Sequence, residues 1–539
     1  MNNKSFLIVL LCLFISISYS QDDGDFLLGR VLDQETGKPI PFVTIKVVGK
    51  NLGVISNADG GFKVPIRFQI EGEKLEISCM GYEKKEVPFS NLTKNEVNII
   101  YLKTGFFELQ ETTVTAKQKR PPSPRRILKR AIEKIPENYP TEAFSYVGYY
   151  RDYQEKDDEY LNLNEAILEI FDSGFGKNDY ATTQAQIYNY TQNLEFARDS
   201  NVAKPYDYLT KNKIINNAKL FSFGGNEFYI LRIHDAIRNY KAKTFSYVDV
   251  MEKDLIRNHR LTRKKDVFQG DEKMFVIGME GSNSSFTNDG YSKQKVSGNI
   301  RSEGEIYISQ SSYAMHKMVY KVFDYTKKRK PTNDIQQTES NLLFEIVIEY
   351  ERYGEKMYPN YLSLHNLFSI RREDFYVEQI TLDLERKRFV INTNNPPILL
   401  LEWDQPNVVL RYKNKRVGLI DVENTYNGIF VYPNKKQMDE ILQDPDFSIN
   451  QDGYISGDFL QFEYANIVDS NQNVLNKIVY EDYFQYREFF TQKVITDPIS
   501  FPANELLMKK NSPIFKNQPI TQPDNLNEFW MNTPLKERF

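Results

Sequence analysis

The chain has 539 residues and a formal net charge of −4, with a mean hydropathy of −0.55. This balance excludes a global basic field for nucleic acid and makes most of the chain water-soluble. The length suits about two to four domains, and 35 Tyr and 36 Phe against 2 Trp suit pleated, half-buried strands.

Met1 to Ser20 has the layout of an export leader. Lys4 supplies a positive start, Phe6 to Ile17 are apolar, and Ser18-Tyr19-Ser20 is a small-x-small site. Cleavage is expected between Ser20 and Gln21. The apolar run is short for a membrane helix, and Gln21-Asp22-Asp23 follows at once, so no transmembrane span is expected after leader removal. Cys12 lies in the leader behind Leu11, which is not small, so lipidation is not expected. Cys79 is then alone, so no internal disulfide forms. The alternation Leu75, Ile77, Cys79 places it as a buried strand residue.

From Phe26 to Leu102, short apolar runs alternate with turn residues, the pattern of a small all-β sandwich. Gly29 and Asp33 open the series, followed by Gly37 and Pro39, then Asp59, Gly60 and Phe62, then Gly81 and Tyr82. Asn57 to Gly60 has hairpin-turn chemistry. Asn57 and Asp59 are not expected to hold a cation, since no acidic cluster follows them. This order resembles the carboxypeptidase-regulatory-like domain, a seven-stranded transthyretin-like β-sandwich of a carbohydrate-binding-like superfamily, common in secreted proteins of the Bacteroidetes. The resemblance implies an exported module and names no reaction.

Glu108 to Ala116 is similar to the segment that joins such a sandwich to the plug of TonB-dependent outer-membrane receptors. The roughly 420 residues beyond it are too few for a plug plus a large barrel. Pro121, Pro122 and Pro124 mark a linker. Ser123 can cap a helix with Pro124 at its first position. Ile127, Leu128, Ala131, Ile132 and Ile135 fall on one stripe of that helix. Its polar face carries Arg125, Arg126, Lys129, Arg130 and Lys134, a candidate interaction surface. Membrane-surface attraction is disfavoured because large aromatic anchors are missing.

Strands are expected from Phe144 onward. Phe144 to Tyr150 and Tyr160 to Phe171 flank an acidic hairpin tip. Further runs cover Thr244 to Val250, Lys273 to Met279, Gly304 to Ile308, Lys317 to Tyr325, Leu342 to Tyr350, Tyr361 to Ile370 and Asp374 to Leu384. They make an antiparallel meander, with a short helix at Asp235 to Tyr240. Gly304 to Ile308 followed by Ala314 to Met318 is similar to the half-barrel lipoprotein carriers of the periplasm. That likeness implies a curved sheet and a lipid or other hydrophobic ligand. After Pro396 the pattern is less regular. Gln437 to Leu442 suggests a helix, and Val479 to Val494 suggests an amphipathic one. Five prolines from Pro498 to Pro523 mark an extended tail, and Phe529-Trp530 is expected to pin it to the body.

The expected fold is thus mainly β: leader 1–20, sandwich 21–104, linker and helix 105–141, antiparallel sheet domain 142–395, and an irregular α/β region 396–539. No catalytic, cofactor or metal residue is expected. None of the four histidines, His234, His259, His316 and His365, has Glu three residues on, as a zinc peptidase needs. Each is expected at the surface or hydrogen-bonded. Nucleophile-elbow and phosphate-loop motifs are missing. Acidic pairs such as Glu303/Glu305 and Glu345/Glu349 occur; Glu303 and Glu305 share a strand face and could pair as acid and base for glycosidase chemistry, though chance explains such pairs readily. The expectation is a non-enzymatic binding protein of the periplasm or outer membrane. Its partner would be an envelope protein, a glycan or a lipid, with a patch where sandwich and sheet meet.

Overall fold

The computed structural model describes residues 26–48, 52–57, 59–70, 72–105, 122–157, 159–204, 213, 226–270, 272–281, 285–286, 294–295, 300–325, 341–371, 374–400, 406–450, 455–456, 459–478, 480–496, 501–514, 516–533 and 535. Cys12, Ser20, Gln21 and Glu108 to Ala116 lie outside them. The chain divides into two compact units. The first holds the sandwich, the segment up to Phe368 and the segment from Tyr483 onward; the second holds Ser369–Asp482. The expected boundary at 395 therefore falls inside the second unit.

The sandwich has strands β1 (Phe26–Asp33), β2 (Thr44–Val47), β3 (Gly53–Ile55), β4 (Gly61–Pro65), β5 (Lys74–Ser78), β6 (Lys85–Pro88) and β7 (Val97–Leu102). They form two sheets, β4-β1-β7 and β3-β2-β5-β6. Alternate residues Leu27, Val31, Ile45, Val47, Leu75 and Ile77 meet between the sheets, as the two-residue period of a strand requires. The motif residues build this framework. A Cβ on Gly29 would stand 2.2 Å from the Phe62 ring, and Gly60 takes φ +76° beneath the Val31 carbonyl. Asp33 accepts from Glu35 N–H, Thr36 N–H and the Tyr82 hydroxyl. Arg30 pairs with Asp59 at 2.8 Å, so Asp59 is an ion-pair and turn residue.

Helix α1 (Pro124–Glu133) starts where expected, with Ser123 Oγ accepting from Arg126 N–H, and α2 (Ile135–Asn138) follows. Next come β8 (Phe144–Lys156), β9 (Glu159–Asp172), α3 (Asp179–Thr182), β10 (Gln184–Gln192), α4 (Glu227–Ile233) and α5 (Met251–Asn258). The meander continues as β11 (His259–Arg263), β12 (Val267–Gln269), β13 (Glu272–Gly281), the short β14 (Ser285–Phe286) and β15 (Gln294–Lys295), β16 (Ile300–Ser309), β17 (Met315–Asp324), β18 (Leu342–Tyr353) and β19 (Lys356–Arg371).

In the second unit β20 (Val377–Asp383), β21 (Arg388–Thr393), β22 (Ile398–Leu399), β23 (Val408–Tyr412), β24 (Lys415–Val417), β25 (Leu419–Thr425) and β26 (Gly428–Pro433) precede α6 (Lys435–Gln443). The short strands β27 (Ser448–Ile449), β28 (Ile455–Ser456), β29 (Leu460–Tyr464) and β30 (Ile467–Val468) complete it. Its largest sheet, β20-β21-β26-β25, packs Phe389, Ile391, Ile429 and Val431 against Met438 and Ile441 of α6.

The chain then returns as β31 (Tyr480–Ile495), between β8 and β19. The resulting open sheet has 11 strands, in the order β10-β9-β8-β31-β19-β18-β17-β16-β13-β11, with β12 also on β13. One face packs on helices: Leu128 and Ile132 of α1, Phe228 and Leu231 of α4, and Met251 and Leu255 of α5 join Tyr146, Tyr150, Tyr320 and Ile346 in one core. A buried ion network anchors α4. Asp172 accepts from Arg232 at 3.0 Å and from Arg238 at 2.9 Å, and Arg232 also pairs with Asp179. Burial would raise the Asp179 pKa, but these two guanidinium groups hold it down to about 2.

Three local expectations are corrected. The helix expected over Val479 to Val494 is instead the strand Tyr480–Ile495, Val479 lying outside the described residues. Its charges are neutralised by distant partners, Arg487 by Glu227 of α4 at 2.5 Å and Glu488 by Arg151 of β8 at 2.6 Å, so polar residues fill buried strand positions. Thr244 to Val250 is a closed turn rather than a strand. Tyr247 and Asp249 take positive φ, and Asp249 N–H returns to the Phe245 carbonyl. The expected helix at Asp235 to Tyr240 lies earlier, at α4. Asp235 instead closes a turn by accepting from Ile237 and Arg238 N–H.

Candidate interaction groove at the sandwich–sheet junction

The opposite face of the large sheet carries the sandwich. Val147, Tyr149, Ile167, Tyr361 and Phe490 of the sheet pack with Ile55 of β3 and with Phe529 and Met531, and Phe42 stacks on Tyr361 at 4.7 Å between ring centres. Residues 529–533 brace the joint. The Trp530 ring enters the sandwich core, and its indole N–H donates to the Lys63 carbonyl at 2.9 Å. The Gln492 carboxamide pairs with both backbone groups of Trp530, accepting from its N–H at 3.2 Å and donating to its carbonyl at 2.7 Å. Gln492 sits at a register shift in β31, where a bulge re-aims a side chain.

Asn532 closes two strand edges at once. Its Oδ1 accepts from Lys63 N–H of β4 at 2.8 Å, and its Nδ2 donates to the Ile55 carbonyl of β3 at 3.0 Å. These groups need closing because β4 and β3 are both edge strands, and edge strands carry unpaired backbone groups.

Beyond Asn532 the edge opens into a groove of ≈ 80 Å³. One wall is Thr44 and Lys46 of β2 with Leu52–Ile55; the other is Glu351–Tyr353, Tyr358–Asn360 and Thr491–Val494. Val47 N–H donates to the Leu52 carbonyl and Ser56 N–H to the Val43 carbonyl. In this antiparallel ladder Val54 therefore turns its N–H and C=O toward β2, while Gly53 and Ile55 turn theirs away. On the opposite wall the Thr491 hydroxyl is buried without a partner. Lys46 and Glu351 form an ion pair across the groove. Arg352 has no carboxylate within ion-pair distance among the described residues, bonding instead to the Glu355 carbonyl and the Ser312 hydroxyl.

Beside the groove the junction is polar. Lys317 pairs with Glu349 at 2.5 Å, and Glu345 is held by Lys321 at 3.1 Å and His365 at 3.0 Å. Burial opposes the charge on Glu345, yet His365 and Lys321 hold its pKa down to about 2. Cys79 lies just past β5, half-buried rather than within a strand. It lines a cavity of ≈ 20 Å³ with Phe42, Gln269, His316, Glu349 and Asn360. Burial pushes its thiol up to about 11, which removes thiolate reactivity near neutral pH. Neither ring nitrogen of His316 has a hydrogen-bond partner, and Glu272 stands 3.5 Å away.

The basic helix residues are not part of this groove. α1 packs on the other sheet face by its apolar stripe, leaving Arg125, Arg126, Lys129 and Arg130 exposed and Lys134 half-buried beside Glu137. Three histidines expected at the surface or hydrogen-bonded are buried: His234, His259 and His316. His234 and His259 are hydrogen-bonded; His316 meets neither expectation. Among the described residues no His, Cys, Asp or Glu group has metal-site geometry. Glu305 is engaged by Lys264 and the Tyr307 hydroxyl. The helix-bearing face is filled, with a remaining void of ≈ 10 Å³ among Tyr146, Phe228, Arg232 and Phe489. A wider depression of ≈ 320 Å³ between α1 and α5 is rimmed by Lys129, Glu133, Lys241 and Glu252. No helix among the described residues is long and apolar enough to cross a membrane.

The expected patch at the junction and the expected pinning of the tail to the body by Phe529-Trp530 named none of Lys63, Gly53, Gln492 and Asn532. No local signal marks them: Lys63 and Asn532 meet partners hundreds of residues away, and Gln492 meets Trp530 across 38 residues.

Two solved structures match part of the chain. A LolA superfamily protein from Nitrosomonas europaea is 11% identical, the match covering 46% of this chain and 86% of that one with a TM-score of 0.18. A candidate outer membrane lipoprotein-sorting protein domain from Vibrio parahaemolyticus is 12% identical over 44% and 84%, with a TM-score of 0.21. None of the curated proteins compared matches the chain. Residues 27–114, which hold the sandwich and its glycine and aspartate motifs, match the CarboxypepD_reg-like domain.

Proposed function

We propose that the chain is a non-enzymatic, exported binding protein of the cell envelope that docks a partner protein in the groove between its CarboxypepD_reg-like sandwich and the large sheet. The observation that carries this reading is the groove itself. It is built jointly by β2, β3, β18, β19 and β31, and the tail braces it open. The carboxylates around it are tied up in ion pairs, and Cys79 is held as a thiol, so the surroundings suit recognition better than proton transfer or nucleophilic attack.

The test is site-directed cross-linking. Lys46→Cys carrying a photo-crosslinker is expected to trap one discrete envelope protein in cells that export the chain. A crosslinker at Arg125→Cys on the far sheet face is expected to give none. Equal trapping from both sites, or none from Lys46→Cys, would overturn the reading.

A further inference from the structure

The tail shows what kind of chain the sandwich edge accepts. At Lys63 and Ile55 the outward backbone groups are met by groups of an extended segment, the Trp530 indole and the Asn532 carboxamide. The edge continues one step past Asn532. Gly53 N–H and C=O and Ile55 N–H point away from β2 and line the groove. No hydrogen-bond partner is found for them among the described residues. Across the groove the buried Thr491 hydroxyl is also unpartnered. Two main-chain donors, one main-chain acceptor and a hydroxyl therefore line the place where another strand would lie.

We propose that the groove binds an extended peptide segment of the partner by strand addition to β3, in continuity with the edge already closed by Asn532. This rests on the groove reading above and adds the mode of recognition. Main-chain pairing with Gly53 and Ile55 supplies affinity, and alternate side chains facing Thr491 and Arg352 supply selectivity. Arg352, without a carboxylate of its own, favours an acidic side chain on the incoming strand. The short β3 admits few main-chain bonds, so a free peptide binds weakly and a folded partner presenting its own edge binds better.

The experiment uses the full chain and an immobilised library of pentapeptides with alternating β-branched and polar or acidic residues. The best binder is remade with single N-methyl groups. Binding is expected to fall on the order of tenfold when the methyl replaces an inward amide hydrogen, one hydrogen bond's worth, and to persist when it replaces an outward one. Gly53 and Ile55 are buried like Val54, but their amides lack a hydrogen bond among the described residues, so in the free chain they are expected to exchange faster than the Val54 amide; bound peptide slows them. Thr491→Trp, which fills the groove, is expected to abolish binding. Indifference to N-methylation, no binding peptide, or Gly53 and Ile55 amides as slow as Val54 in the free chain would overturn strand addition. A partner trapped at Lys46→Cys with no binding peptide leaves the groove reading standing without strand addition. A peptide that binds and slows the Gly53 and Ile55 amides, with nothing trapped at Lys46→Cys, keeps the strand-accepting edge and overturns the reading of a partner docked in cells.

Discussion

The two faces of the large sheet are covered in different ways. On the helix face, α1, α4 and α5 bury aliphatic and aromatic side chains in one continuous core, and its charges form a closed network around Asp172. On the sandwich face the apolar contact is smaller. Around it lie ion pairs, an unpartnered histidine, a small polar cavity and the groove. A dense apolar face resists opening, because every lost contact costs burial and leaves a void. A face joined by a smaller aromatic cluster, one Trp and a few carboxamide bonds depends on fewer residues. Under the proposed function, one face is structural and the other is the recognition face.

The sharpest way to break that comparison is Trp530→Ala. It removes the ring from the sandwich core and is expected to cost about 3–5 kcal/mol. In hydrogen exchange, β3 and β4 should lose protection while α1 and α5 keep theirs. Protection lost evenly on both faces would mean the faces are one cooperative unit. Leu128→Ala on the helix face is expected to cost about 2–5 kcal/mol and to leave groove binding unchanged; a denaturant titration paired with the peptide assay checks it.

Acid probes both faces together. His259 on the helix face accepts from the Tyr320 hydroxyl, its tautomer set by the Leu255 carbonyl. Burial pushes its pKa down to about 4, and that of His316 on the sandwich face likewise. Each ring is neutral when folded and charges near pH 6.5 when unfolded. Their share of stability is therefore present above pH 6.5 and lost as pH falls toward 4, up to about 3 kcal/mol each. His259→Gln and His316→Gln should each flatten the acid limb of a stability-against-pH curve, with His316→Gln preserving groove binding to lower pH. An unchanged slope in both would show that other groups drive acid unfolding. The smallest effect is expected from Lys46→Ala, which breaks a half-buried pair with Glu351 at the groove rim, at less than about 1 kcal/mol of stability. A larger loss would mean the groove rim holds the sandwich in place.

The sandwich was legible because its signals are local. Gly60, Asp33 and Pro39 do their work within a few residues of chain, and the alternating strands declare their own buried side. α1 and α6 were legible for the same reason. β31 was not, because Arg487 and Glu488 look solvent-facing until Glu227 and Arg151 are brought beside them. The turn at Thr244 to Val250 was missed because Phe245, Tyr247 and Val248 are buried by surrounding core residues rather than by a strand ladder. At the candidate site the junction was anticipated, but its residues were not.

By itself, then, the amino-acid sequence determined a mainly β chain with an N-terminal sandwich, a capped amphipathic helix and a tail anchored by Phe529-Trp530. These depend on period, turn chemistry and capping, which act over a few residues. Only the tertiary structure decided that β31 returns to the centre of the sheet. It also decided that Asn532 and Trp530 close the sandwich edge at Lys63 and Ile55 and that the closure stops short of Gly53. Which edge groups are met and which stay open depends on contacts between segments more than 450 residues apart, and no local pattern encodes such a pairing.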